Sequence, residues 1–212
     1  MLPVAGVAVV LLVLGLPWWS AGVFVLALAL LLFFRDPTRR FAGAEQAVLS
    51  AADGLVTRVD RVEAPDVGPG SFHRVVTFLS VFDVHVQKTP LAGKVVASRH
   101  APGKKLAAFR HDAGDVNEQH LTVIETPAGG RVGVRQIAGL LARRVVCHLR
   151  EGQAVERGEA MGLIKFGSRV DVLVPAASHR VTVSKGDRVK NGLTVIASPL
   201  EAGAAEAPGE AR

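Results

Sequence analysis

Gly152-Gln-Ala-Val-Glu-Arg-Gly158 and Gly186-Asp-Arg-Val-Lys-Asn-Gly192 are two copies of one pattern, 34 residues apart. In each copy a glycine opens a turn, a valine supplies an apolar anchor, and a second glycine closes another turn. Around them the chain reads as short β-like runs punctuated by glycine and proline: residues 55–62, 74–79, 81–87, 121–125, 131–137, 144–149, 170–174 and 193–197. Runs of this length between frequent turn signals predict an all-β fold, mainly an antiparallel barrel or sandwich. Residues 63–73 and 98–120 are polar, rich in glycine and proline, and expected to be loops.

The 212 residues make one domain with two appendages. Residues 1–34 carry no charged side chain and divide at Pro17 into two apolar runs. The longer, 17 residues, reaches about 25 Å as a helix, short of the roughly 30 Å of a bilayer core. One tilted membrane span and a helical hairpin both fit. Trp18 and Trp19 favour the hairpin, because tryptophan seeks the headgroup layer, and Pro17 suits the first position of a helix. Arg35, Arg39 and Arg40 follow, and the positive-inside rule then places residues 35–200 on the cytoplasmic side of the cell (inner) membrane. A cleaved signal peptide fits less well, since no basic segment precedes the apolar run. Residues 201–212 are Ala, Glu, Gly, Pro and Arg without periodicity and read as a disordered tail.

Formal net charge is +6, and the basic excess grows once the acidic tail is set aside. The basic residues are scattered, with no aromatic-interleaved patch and no tyrosine, which argues against nucleic acid and for an anionic membrane surface. The single cysteine, Cys147, excludes an internal disulfide and a cysteine-based zinc cage. No metal site is expected.

Chemistry concentrates in Phe166-Gly-Ser-Arg-Val-Asp-Val172. Serine directly after glycine, between two β-like runs, can attack the preceding peptide carbonyl, which no Cβ shields. The attack gives an ester, β-elimination leaves dehydroalanine, and hydrolysis converts residue 168 into an N-terminal pyruvoyl group. The hydroxyl needs a base, commonly a histidine oriented by a carboxylate. His85 is the candidate, with Asp83 on the same face of the expected strand 81–87 and Asp53 in a tight Ala-Asp-Gly turn.

The same stretch resembles the self-cleavage site of the phosphatidylserine decarboxylases, short bacterial form. Phe34-Arg-Asp-Pro37, Ser50-Ala-Ala-Asp-Gly54, Leu79-Ser-Val-Phe-Asp-Val-His-Val86, Asn117-Glu118, Arg135-Gln-Ile-Ala-Gly139 and Ala142-Arg-Arg-Val-Val-Cys147 agree with that family in order. The resemblance implies cleavage between Gly167 and Ser168, with Asp53, His85 and Ser168 as the processing triad. It also implies a pyruvoyl cofactor derived from Ser168, and conversion of phosphatidylserine to phosphatidylethanolamine and carbon dioxide through a Schiff base. The mature enzyme would be a non-covalent complex of chains 1–167 and 168–212, and a homo-oligomer is compatible with it. Many relatives carry a second histidine where Lys88 stands, so His85, Lys88 or another residue is left as the base. Phe72, Phe78, Phe82 and Phe166 are candidates for an apolar wall around the site.

Two rival readings start from other residues. Cys147-His-Leu-Arg-Glu-Gly152 is similar to a segment of zinc endopeptidases that cut peptidoglycan, but Val146 occupies the place of the first histidine of their His-x-His pair. The glycine-turn repeats are similar to those of biotinyl and lipoyl carriers, which would make the chain a non-enzymatic, membrane-tethered module. The hairpin carrying the modified lysine of such carriers is missing.

Overall fold

The computed structural model describes residues 2–104, 106–107, 113–140, 144–164 and 168–200. Two helices open the chain, α1 (Leu2–Val13) and α2 (Pro17–Phe33). They form the expected hairpin: Gly15 turns the chain at φ +73°, Pro17 begins α2, and Ser20 Oγ donates to the Ala8 carbonyl across the pair at 2.7 Å. Among the described residues no helix is long and apolar enough to cross a membrane.

The rest is β-structure. The strands up to the first long loop are β1 (Val48–Leu49), β2 (Gly54–Glu63), β3 (Ser71–Leu79), β4 (Val86–Lys88) and β5 (Gly93–Ala101). A single-turn helix, α3 (Ala113–Val116), interrupts them. There follow β6 (Gln119–Glu125), β7 (Arg131–Ile137), β8 (Val145–Cys147), β9 (Ala154–Val155) and β10 (Ala160–Ile164). The chain ends in β11 (Ser168–Pro175), β12 (His179–Val181), β13 (Arg188–Val189) and β14 (Val195–Pro199). An eight-stranded sheet runs β13-β2-β3-β11-β7-β6-β5-β9, beside two three-stranded sheets, β1-β14-β12 and β4-β10-β8. Every pair of these strands is antiparallel, as expected.

These orders describe one seven-strand unit built twice. The first unit is β1, β2, β3, β11, β12, β13, β14; the second is β4 to β10 without interruption. Val56 donates to the Asp187 carbonyl and accepts from Gly186 N–H, both at 2.8 Å. Val95 does the same with Gln153 and Gly152, at the same distances. A bulge follows Val56 in one unit and Val95 in the other. A Cβ on Gly54 would lie 2.1 Å from the Phe78 carbonyl oxygen, and one on Gly93 2.3 Å from that of Glu125, so glycine is required at both points of close approach. The units meet where Leu49 N–H donates to Pro90 and Lys88 N–H to Ala51, a reciprocal pair about a pseudo-twofold axis.

The second unit is inserted into the first between β3 and β11. Where β6 and β7 are joined by the turn 126–130, residues 80–85 cross from β3 out to β4, and the chain comes back to the first unit at Ser168, after β10 has ended at Ile164. The expected strand 81–87 is therefore only Val86–Lys88. Ser80 to Asp83 is a turn, closed by the Asp83 N–H to Ser80 carbonyl bond at 3.1 Å. The main core gathers Val56, Val75, Leu79, Val95, Ile124, Val134, Ile164, Val170 and Ile196, from both units. A smaller cluster around Phe72, Leu121, Val123 and Leu173 lies on the other face of the large sheet.

Candidate active site at the crossings

Ser168 is the first residue of β11, opposite Leu79, the last residue of β3. Its side chain is fully buried, and Oγ has no hydrogen-bond partner among the described residues. A buried hydroxyl without a partner costs roughly 1–3 kcal/mol, so this one calls for an explanation. Gly167 and Phe166 lie outside the described residues.

His85 closes the outgoing crossing. Nδ1 lies 2.9 Å from the Asp83 carbonyl, which can only accept, so Nδ1 carries the proton and Nε2 presents a lone pair. Nε2 is buried and also unpartnered among the described residues. Burial holds the imidazole below its ordinary pKa, against the opposing pull of the Asp83 carbonyl and charge, so His85 is neutral near pH 7. The next residue, Val86, pairs with Leu163, and β10 ends one residue later at Ile164. His85 thus adjoins the end of the β4–β10 ladder that lies three residues of sequence before Gly167.

The pseudo-twofold axis completes the geometry. Counted from matching ladder positions, Ser168 corresponds to Gly130, His85 to Gln46 and Asp53 to Ala92. Gln46, Ala92 and Gly130 line a single cavity of about 630 Å³. The same relation puts His85, Asp53 and Ser168 at the equivalent positions of the first unit, at the opposite end of the sheet. The Asp53 charge is felt at His85, where it favours the protonated ring.

The two carboxylates differ from expectation in what they touch. Asp83 does not face His85 from a strand: its carboxylate accepts from Ser80 N–H at 2.8 Å and Ser80 Oγ at 2.7 Å, and its backbone carbonyl orients the imidazole. The short turn forces this, since residues 83 and 85 no longer alternate as in a strand. Asp53 accepts from both terminal nitrogens of Arg39 and from Asn191 N–H. Lys88 is buried against Asp36 at 3.2 Å, already paired.

Residues 33–39, at the foot of the hairpin, close the site. Phe33 is 6% exposed and stacks on His85 at 4.1 Å between ring centroids. Arg35 donates to the Phe82 carbonyl at 2.6 Å, Asp36 holds Lys88, and Arg39 holds Asp53. Among the described residues the ring packed on His85 is Phe33, whereas Phe82 is 82% exposed, Phe72 belongs to the smaller cluster, and the expected Phe166 lies outside those residues. Sequence reading missed Phe33 because an unbroken apolar run gives no sign that its last turn is packed against protein. It also missed the buried pair beside the serine, Arg169 bound to both oxygens of Asp171 at 2.6 Å. Their spacing of two residues was the available signal.

Residues 26–197 match the model of the family described as phosphatidylserine decarboxylase. The chain belongs to the phosphatidylserine decarboxylase family. It is 45% identical over 197 residues to the phosphatidylserine decarboxylase proenzyme of Symbiobacterium thermophilum, covering 92% of this chain and 91% of that one. The proenzyme of Saccharopolyspora erythraea is 43% identical over 199 residues, covering 92% and 84%. The expectation of a decarboxylase made as a zymogen is met, and the peptidase and carrier readings fall away. His148, on which the peptidase reading rested, is exposed. The glycine-turn repeats record the duplicated architecture.

Proposed function

We propose that the chain cuts itself between Gly167 and Ser168 and that the resulting two-chain enzyme converts phosphatidylserine to phosphatidylethanolamine and carbon dioxide. The observation that carries this reading is the pair of buried, unpartnered atoms, Ser168 Oγ at the head of β11 and His85 Nε2 directly before β4. An orphaned hydroxyl at the head of a strand fits a precursor group that is consumed rather than a structural serine.

His85 Nε2 takes the Ser168 proton as Oγ attacks the Gly167 carbonyl. The peptide C–N bond breaks and leaves an ester between Gly167 and the serine oxygen. Loss of the serine α-proton expels that ester oxygen with residues 1–167 as a carboxylate. Water then replaces the residue 168 nitrogen, which leaves as ammonia. When in place, the pyruvoyl group supplies an electrophilic carbonyl that condenses with the substrate amine and accepts the electron pair released with carbon dioxide. Protonated His85 returns a proton to the carbon that has lost carbon dioxide, and Phe33 limits water beside it. Asp53, fixed by Arg39 and Asn191, supplies the negative charge that steadies the protonated ring.

The smaller product, residues 168–212, would stay bound, because β11 lies between β3 and β7, paired with β3 along its whole length and with β7 from Arg169 to Leu173. Membrane attachment through the hairpin, with the β-domain on the cytoplasmic side, suits a substrate whose acyl chains remain in the bilayer. Arg35 and Arg40, exposed at the hairpin's foot, support that orientation.

A denaturing gel and a mass spectrum test the reading. The wild-type chain should separate into fragments ending at 167 and beginning at 168, the second blocked at its N-terminus. Ser168→Ala should remain whole and release no carbon dioxide. Turnover by an uncut Ser168→Ala chain would end the proposal.

A further inference from the structure

Beyond Arg35, the large apolar side chains exposed among the described residues are Leu55, Val81, Phe82 and Leu140. All four belong to the end of the large sheet that carries Ser168. Leu55 pairs with Phe78, which pairs with Arg169. Val81 and Phe82 follow the end of β3, and Leu140 follows Ile137, the partner of Arg169 at the end of β7. At the other end of the sheet the corresponding loop is Thr126-Pro-Ala-Gly-Gly130, with no large apolar side chain. Duplication made the two ends alike in backbone; only one is greasy.

That rim is continuous with the foot of the hairpin. Arg35 binds the Phe82 carbonyl, Phe33 stacks on His85, and Phe34 is itself half exposed. Basic groups stand beside the apolar tips: Arg35 binds the Phe82 carbonyl, and Arg188, 73% exposed, is the strand partner of Leu55 and lies beside Asp83. Apolar tips flanked by arginines suit the boundary of an anionic bilayer, where side chains enter the acyl layer and the cations stay among the headgroups. A protein partner would more often meet an aromatic core with an uncharged centre.

We infer that Val81, Phe82 and Leu140 form a second lipid contact, separate from the hairpin, which seats the mouth of the site on an anionic bilayer at headgroup depth. The inference rests on the function proposed above and adds how the substrate reaches the site. Phe82 stands three residues before His85, on the crossing that carries it. Seating the loop in lipid therefore sets His85 and Ser168 at the level of the serine headgroup.

Two measurements test this with the full-length mature enzyme. In the first, Phe82→Ser and Leu140→Ser together should raise KM for phosphatidylserine in mixed vesicles by about tenfold or more, the scale of losing one buried large side chain. Self-cleavage, and turnover of a short-chain phosphatidylserine below its micelle concentration, should be unchanged. Equal loss on vesicles and on monomeric substrate, or no loss on either, would overturn the inference. In the second, Phe82→Trp is placed in a chain with Trp18→Phe and Trp19→Phe, and vesicles containing phosphatidylglycerol and lipids brominated near the glycerol end are added. The introduced indole, then the only one in the chain, should be quenched, and unquenched emission with bound vesicles would refute lipid contact whatever the activity. A wild-type enzyme inactive on both substrates would instead count against the proposed function, while the quenching still reports on the contact.

Discussion

The two seven-strand units share a ladder, a bulge and a pair of glycine turns, yet only one carries the serine, histidine and aspartate of the proposed site. In the second unit the chain passes from β6 to β7 through an ordinary turn, and the residues round the hollow are Gln46, Ala92 and Gly130. In the first unit that turn has been opened to admit the whole second unit, and the equivalent positions hold His85, Asp53 and Ser168. The insertion makes the segment that carries His85 continuous with β3, whereas Gln46 reaches its hollow from the chain before β1. The proposed scissile bond precedes Ser168, on the strand that follows the inserted unit. The comparison teaches that the backbone frame is not sufficient, and that the crossing plus three side chains distinguish a processing site from a fold element.

The sharpest way to break the difference is to give the first unit the second's residue at the base. His85→Gln, matching Gln46, keeps a polar side chain of similar size but removes the proton acceptor. Self-cleavage should slow by about 10²–10⁴-fold, the usual range for a general base, and uncut chain should accumulate on a denaturing gel. Maturation of His85→Gln at the wild-type rate would move the base elsewhere. The pH profile sharpens the assignment. Because burial lowers the His85 pKa, the neutral base persists on acidification past the ordinary value of about 6.5. The cleavage rate should be level from pH 8 to about 6.5 and fall only below that. Stability follows the same sign: between the lowered folded pKa and the unfolded one, the unfolded chain binds more protons, so acid begins to destabilise from about pH 6.5 downward.

Asp53→Ala, matching Ala92, should have a smaller effect on chemistry and a distinct one on stability. It leaves Arg39 in a largely buried position without its partner, and removing one member of such a pair costs about 3 kcal/mol. Urea unfolding in the uncut Ser168→Ala background would measure that loss free of any change in processing. In the otherwise wild-type chain, cleavage should slow by less than in His85→Gln, because the charge that favours the protonated histidine is gone while the base itself remains. Unaltered midpoint and unaltered processing together would remove Asp53 from the site.

How much of this was legible can be argued from particular stretches. The glycine turns at 152–158 and 186–192 signalled strands and repetition, because only glycine is at ease at the positive φ their turns adopt. Two further repeats lay in plain view: Ser50-Ala-Ala-Asp-Gly-Leu-Val56 against Thr89-Pro-Leu-Ala-Gly-Lys-Val95, and Gly129-Gly-Arg-Val-Gly-Val134 against Gly167-Ser-Arg-Val-Asp-Val172. Taken with the first, they spell out the duplication and its insertion. Ser168, His85 and Asp53 stood out from chemistry and resemblance, and what the structure adds is that all three are buried. What Asp83 touches was not, because a turn replaced the anticipated strand and turned the carboxylate toward Ser80. Phe33 was hidden for a different reason: docking of an apolar helix end leaves no mark on its own composition.

The smallest expected effect is the most informative about sufficiency. Gly130→Ser turns Gly129-Gly130 into Gly-Ser and the second unit's stretch into Gly-Ser-Arg-Val-Gly-Val, one residue from the scissile sequence between 167 and 172. A Cβ at residue 130 would meet only Thr126 Oγ1, at an ordinary 3.5 Å, and residue 130 does not need positive φ. The substitution should therefore change unfolding free energy by no more than about 0.5 kcal/mol. No cut should appear at 129–130, because Gln46 offers no base and Ala92 no charge, and an unactivated hydroxyl is a weak nucleophile. Intact mass of the 1–167 fragment reads the outcome directly. A second cut at 129–130 would show that glycine-serine at the head of a paired strand cleaves without a histidine, and the roles given to His85 and Asp53 would fall together. Adding Gln46→His and Ala92→Asp to Gly130→Ser then asks whether three side chains suffice without the crossing. The chain should still stay whole there, because the carbonyl of Ala44, at the position equivalent to Asp83, is already taken by Arg157 and by Ala47 N–H and does not hold a histidine by its Nδ1 proton as the Asp83 carbonyl holds His85.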